Sequence, residues 1–389
     1  MATEDNVPVP SAEEVAGVGA GGGGEEQGRE RENRPHEVIK VKVTGYQLSA
    51  KDFSYQLEIE VGAEKKALTR HYNDLLWLHR VLSKNLEPGG YIVPPMPAPP
   101  PRLPDATVMK LGDHSRSLFG DQTEIPRLAM EGFMQVLASH PYFSENHIVY
   151  SFLTREQLSD HDQQSASSLW SQFSKVISDY QISSVVEPDE HFTRCLKSVE
   201  KHVTALLACS QDFARMCHSW QNFACSLMAV TEEMRLLGNN EESRNEQCAR
   251  YCFKFAEGLE EDKEYSHAAS LDSMTTIGFT FDLYHKYYEQ VKEMLFRRLA
   301  KVQLLTTASQ QLEKARPDKR PIAEKAKEDA QKTLDRVSAT AKDEYVHFQH
   351  ECTNQMRMRL QAYVEAQVAH CKRSLENIDK LKSDLEALL

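Results

Sequence analysis

Six basic residues, Lys314, Arg316, Lys319, Arg320, Lys325 and Lys327, crowd one short stretch of this chain against only Glu313, Asp318 and Glu324. Their chemistry is non-covalent. Ammonium and guanidinium groups hold phosphate oxygens, and each one near an anionic surface contributes roughly 1 kcal/mol. From Lys286 to Arg373 there are 18 Lys+Arg against 12 Asp+Glu, in a chain whose net charge is -12. Basicity is therefore local, which argues against a protein that coats nucleic acid. A solvated helix turn is the plain alternative for such a run.

Covalent chemistry finds little support. There is no G-x-S-x-G, H-E-x-x-H, P-loop or C-x-x-C, and the fifteen histidines are scattered. Gly21 to Gly24 is followed by no G-K-[ST]. All eight cysteines fall between Cys195 and Cys371, and Cys248 with Cys252 lacks a second pair to complete a zinc site. They read as buried free thiols in a reducing compartment. The expectation is no enzyme, no metal and no cofactor.

The prolines define what must position the basic run. Fourteen of sixteen lie at or before Pro188, and the other two are Pro317 and Pro321. Proline breaks helices, so the chain beyond Pro188 is predicted as long helices, with turns at Gly238-Asn239-Asn240 and at Pro317–Pro321. The later two, near seventy residues each, would be on the order of 100 Å long. The basic run then sits at the far turn of a long antiparallel pair.

The first long helix carries Phe192, Leu196, Val199, Val203, Leu206, Ser210, Phe213, Cys217, Trp220, Ala224, Leu227, Thr231 and Met234 at alternating spacings of four and three. That 3.5-residue repeat supercoils helices around one another. The last helix repeats it more weakly through Val364, Val368, Cys371, Leu375, Ile378, Leu381, Leu385 and Leu388, as a stripe buried in the same bundle. Leu207, Met216, Phe223 and Met228 widen the apolar face of the first, which asks for a second partner and hence a dimer.

Ahead of the helices, residues 1–35 lack apolar periodicity and are expected to be disordered. Alternation through Ile39, Val41 and Val43, then Tyr55, Leu57, Ile59 and Val61, predicts two antiparallel strands. A third spans about Lys66 to Tyr72, followed by a helix through Leu75, Leu78 and Leu82. A proline-rich crossover, Val93 to Pro101, and helices over about Ile125–Ser139 and Ser144–Leu153 complete an α+β module over 36–155. Pro94 to Pro101 is either a fixed crossover or an exposed polyproline ligand. Within the linker, 156–188, Leu169, Trp170, Phe173, Val176 and Ile177 share one face of a helix whose other face is serine-rich. Such a face either enters packing defects of a curved membrane or docks on a neighbouring domain. No run of eighteen apolar residues occurs, so the chain is expected to be cytosolic and at most peripheral to membranes.

Arg70-His71-Tyr72-Asn73-Asp74-Leu75-Leu76-Trp77-Leu78-His79, Ile92-Val93-Pro94-Pro95-Met96-Pro97, and Met130-Glu131-Gly132-Phe133-Met134 before Ala138-Ser139-His140-Pro141 resemble the signatures of phox-homology (PX) domains. With the long helices behind them, the chain resembles the PX-BAR sorting nexins over about 37–389. It is most similar to their retromer-associated subgroup, through Lys110-Leu111-Gly112 and Tyr287-Tyr288, although Arg102 to Glu124 is shorter than that subgroup's helical insertion. The resemblance implies a PX domain with a three-stranded antiparallel sheet at 36–155, and a dimeric, all-α BAR-type three-helix bundle at 189–389. It implies a peripheral protein of endosomal membranes that shapes or senses curvature for cargo sorting and retrograde transport.

Basic groups that the family places around a phosphoinositide are His71, Pro99 and Pro126 here. The pocket is expected to be degenerate, with Arg70, Arg102 and Arg127 as the nearest candidates for a re-routed site. Expected partners are an anionic or phosphoinositide-containing membrane and another PX-BAR sorting nexin, as a heterodimer ahead of a homodimer. Cargo tails or retromer are further candidates, and nucleic acid is not expected. The competing reading is a cytosolic coiled-coil scaffold without lipid contact.

Overall fold

The computed structural model describes residues 39–48, 53–84, 89–98, 124–156 and 186–388. The expected disordered tail over 1–35, Arg102 and the serine-faced helix with Leu169, Trp170, Phe173, Val176 and Ile177 lie outside them.

Strands β1 (Ile39–Leu48), β2 (Phe53–Val61) and β3 (Glu64–His71) form an antiparallel sheet in the order β1-β2-β3. The register sets Val41 opposite Ile59 and Val43 opposite Leu57, so the alternating apolar residues share one face. That face is covered by α1 (Tyr72–Lys84), α2 (Glu124–Ser139), α3 (Pro141–Glu145) and α4 (His147–Thr154). Leu75, Leu78, Met130, Met134, Leu137, Phe143 and Phe152 are fully buried there. Each such side chain contributes about 1.5–3 kcal/mol of burial. The expected last helix over 144–153 is two helices. Asn146 is extended and its Oδ1 accepts from Ile148 N at 2.9 Å, which ends α3 and caps α4. Pro94, Pro95 and Pro97 are buried, so this described part of the proline run is a fixed crossover, and Pro99 to Pro101 lie outside the described residues.

Beyond the linker stand α5 (Glu190–Glu241), α6 (Glu246–Ser273), α7 (Phe279–Lys314) and α8 (Arg320–Glu386). A π-turn, Met274–Gly278, joins α6 to α7 without a break, so one helix runs from Glu246 to Lys314. Hydroxyls crowd this turn. Ser273, Thr275, Thr276 and Thr280 each donate to the carbonyl four residues earlier, a bond that bends helices.

The α5 heptad stripe is buried or half-buried from Phe192 to Met234, as its period predicts. The turn after it falls later than Gly238-Asn239-Asn240. Gly238 is inside α5, and a Cβ there would lie 2.7 Å from the Phe253 ring. Close helix packing thus explains this glycine. Asn245 ends the turn, its side chain accepting from Cys248 N at 3.1 Å.

The α8 stripe is also corrected. Val364, Val368, Cys371, Leu375 and Ile378 are exposed, because polar residues take the inward face. His370 Nε2 meets Asp272 at 2.7 Å, Gln367 donates to Ser273 Oγ at 3.0 Å, and Asn377 donates to the Gly258 carbonyl at 2.9 Å. The thiols divide as well: Cys195, Cys217 and Cys252 are buried, whereas Cys209, Cys225 and Cys371 are exposed.

Candidate functional site

Strand parity decides what Arg70 does. It lies two residues after inward-facing Leu68 and opposite Tyr55, so its side chain enters the core, where it is 2% exposed. Nε and Nη2 donate to the Phe152 carbonyl at 3.0 and 2.8 Å, and other donors reach the carbonyls of Thr69, Arg155 and Glu156. Burial pulls its pKa down. Arg70, expected beside a phosphate, instead closes the C-terminal end of α4. Arg127 donates to the Val43 carbonyl at 2.8 Å and pairs with Glu131 at 3.2 Å, while Glu131 accepts from Val43 N at 2.9 Å. This holds α2 on β1.

Tyr72 Oη donates to the Pro97 carbonyl at 2.9 Å, drawing the crossover onto the end of the sheet. Beside it lies a cleft of about 190 Å³ walled by Pro95, Met96, Pro97 and Pro126 on one side and by Phe279 and Leu283 of α7 on the other. Its lysine, Lys286, is paired with Asp282 at 2.6 Å. A cleft so lined matches apolar groups and offers a phosphate little.

The two halves of the chain are locked together here. Ile92 is buried among bundle residues, and Gly90 passes so close to α8 that a Cβ would lie 2.7 Å from the Val337 carbonyl. Glu344 accepts from Ile92 N at 3.2 Å and pairs with His140 Nε2 at 3.2 Å. Arg297 donates to the Tyr91 carbonyl at 2.7 Å, and burial pushes its pKa down to about 10. Tyr91 stacks on Tyr142 with ring centroids 4.0 Å apart. Arg298, 4% exposed, pairs with Glu187 and lies 3.6 Å over the Phe192 ring, pinning the linker's end to α7. Sequence reasoning missed Glu344, Gly90 and Arg297 because their partners are remote in the chain. Replacing Glu344 with alanine leaves the Ile92 amide unpaired and should cost about 1–3 kcal/mol of docking. Hydrogen exchange across 89–98 is the readout, with an expected rise of roughly tenfold or more while the helical content is unchanged.

At the other end of α7 the basic residues stand open. Residues 315–319 turn the chain from α7 into α8, and Lys314, Arg316, Lys319, Arg320, Lys325 and Lys327 are all exposed. Arg320 meets Glu324 at 3.3 Å, an exposed pair worth little. A second exposed feature runs along the bundle: Leu207, Phe223 and Val230 on α5, and Val364, Val368, Leu375 and Ile378 on α8. Among the described residues no cluster of His, Cys, Asp and Glu could hold a metal, and no helix is long and apolar enough to cross a membrane.

Known proteins share this arrangement. The PX domain model matches residues 60–156, and the model described as Vps5 C terminal like matches 165–334. Sorting nexin-32 of Mus musculus is 24% identical over 333 residues, covering 79% of this chain and 82% of its own. Sorting nexin-6 of Homo sapiens is 22% identical over 334 residues, covering 80% and 81%. The cryo-EM structure of the SNX-BAR Mvp1 tetramer matches 89% of this chain and all of its own with a TM-score of 0.53 at 14% identity, a likeness of fold. The sheet module and the long helices thus match a PX domain and a Vps5 C-terminal-like, BAR-type domain, and the chain is homologous to sorting nexin-32 and sorting nexin-6.

Proposed function

We propose that this protein works at the surface of endosomal membranes, where a curved dimer lays its basic tips on an anionic bilayer, shapes or senses its curvature, and sorts cargo for retrograde transport. The observation that carries this reading is the open basic turn between α7 and α8, at the end of helices roughly 100 Å long. A dimer presents that turn twice, so modest contacts add up. The linker face with Leu169, Trp170, Phe173, Val176 and Ile177 supplies the outer-leaflet wedge in this reading. The PX domain acts through its surface rather than through a phosphoinositide pocket. Its cleft is apolar, and Arg70 and Arg127 are engaged within the fold. The lipid address then comes from a partner nexin, in a heterodimer ahead of a homodimer, and cargo tails or retromer complete the assembly.

Co-sedimentation of the full-length protein with anionic liposomes of two diameters tests it, beside Arg316→Glu, Lys319→Glu, Arg320→Glu. Three reversed charges should weaken binding by about 100-fold or more, at roughly 1 kcal/mol for each residue. Stronger binding to the smaller liposomes is expected of the wild type. Equal binding by wild type and variant would refute the tip. No binding by either, with a partner nexin added, would favour the cytosolic scaffold.

A further inference from the structure

The basic tip carries an apolar residue that the electrostatic reading leaves unused. Ile322, in the first turn of α8, is 74% exposed, more than any other large hydrophobic side chain described within the bundle helices. Most of the other exposed ones are spread along α5 and the rest of α8, and Ile322 lies apart from them at the distal turn. Pro317 and Pro321, both exposed, stiffen the backbone around it. Lys319 and Arg320 precede it, and Lys325 and Lys327 follow, all exposed.

Long basic side chains settle at the phosphate level of a bilayer and draw the backbone between them to that depth. A branched apolar side chain held there exchanges water for the boundary between headgroups and acyl chains. An isolated exposed isoleucine on a soluble protein needs no explanation. One set on a rigid turn among six exposed cations does. We infer that Ile322 is a membrane-inserting residue whose ligand is the headgroup–acyl boundary of an anionic bilayer. The inference rests on the membrane reading above and adds a contact that salt does not screen.

Full-length wild type, Ile322→Ser and Ile322→Trp are titrated with phosphatidylserine/phosphatidylcholine vesicles across a salt series. The serine variant should bind about tenfold more weakly at every salt concentration, and the tryptophan variant more tightly. The slope of affinity against salt should be the same for all three, because the charges are unchanged. Thermal unfolding should also be unchanged, since Ile322 packs on little. Equal binding by the three proteins, or weaker binding by both variants, would overturn the insertion while leaving the membrane reading in place. Absence of binding by the wild type would remove both.

Discussion

Replacing Arg70 with alanine should unfold the PX domain at temperatures where the wild type is fully folded. Its guanidinium serves the carbonyls of Thr69, Phe152, Arg155 and Glu156. Removing it leaves buried acceptors unpaired and opens a void beside the Phe152 ring, which the guanidinium carbon approaches to 5.2 Å from the centroid. The expected cost is about 3–5 kcal/mol, a large part of the stability of a domain this size. Lysine should not rescue it, because one ammonium cannot reproduce the planar fork. Calorimetry of the full-length protein would show a PX transition lowered by roughly 10 °C or more, with the bundle transition unmoved. A ligand role for Arg70 predicts the reverse: ordinary unfolding and a selective loss of phosphoinositide binding.

The second large effect concerns the uncovered face of the bundle. Val368 and Leu375 are 47% and 60% exposed and line a shallow hollow of about 380 Å³ on α8 with Tyr363, Val364 and Cys371. In the proposed dimer a second copy or a partner nexin covers this face. Two-fold symmetry would then bury each residue twice. Val368→Glu with Leu375→Glu should weaken association by a thousandfold or more, taking each lost apolar burial as about 1.5–3 kcal/mol. Light scattering should then give a mass near 44.3 kDa where the wild type, alone or mixed with its partner, gives a dimer. Helical content should be retained, since neither side chain supports the bundle interior. An unchanged dimer would place the interface elsewhere, and a wild type that stays monomeric at micromolar concentration would refute self-pairing.

Much of the architecture is written in local patterns. The alternation of Val41, Val43, Leu57 and Ile59 specifies the sheet, and the α5 repeat specifies the bundle, because a buried face and a helical period leave direct marks on neighbouring residues. Gly238-Asn239-Asn240 misleads because a glycine that ends a helix and a glycine that admits Phe253 look alike without the partner helix. The α8 stripe misleads for a related reason. Period reveals that a helix has an apolar face, but His370 and Asn377 turn that face outward by bonding to Asp272 and Gly258, about a hundred residues away. Arg70 was legible in part: its parity with Leu68 marks it as inward-facing, and a lone inward arginine asks where its donors go. The lock of Glu344 on His140 and Ile92 has no local signal, since it joins residues more than two hundred positions apart.

The π-turn at Met274–Gly278 has a bearing on how this molecule tolerates changes of length. A π-turn closes over five residues where an α-turn closes over four, so it stores one residue more than the helix around it requires. Elsewhere in the helix from Glu246 to Lys314, one residue lost rotates everything downstream by about 100° and carries Tyr288, Val291 and Leu295 out of the core. Lost from the π-turn, it leaves both flanking segments in phase. The molecule therefore holds a single residue in reserve midway along its longest uninterrupted described span, beside Phe213 of α5, whose ring would lie 3.3 Å from a Cβ at Gly278. A one-residue deletion at this turn can be absorbed without reassigning the faces of the bundle on either side of it.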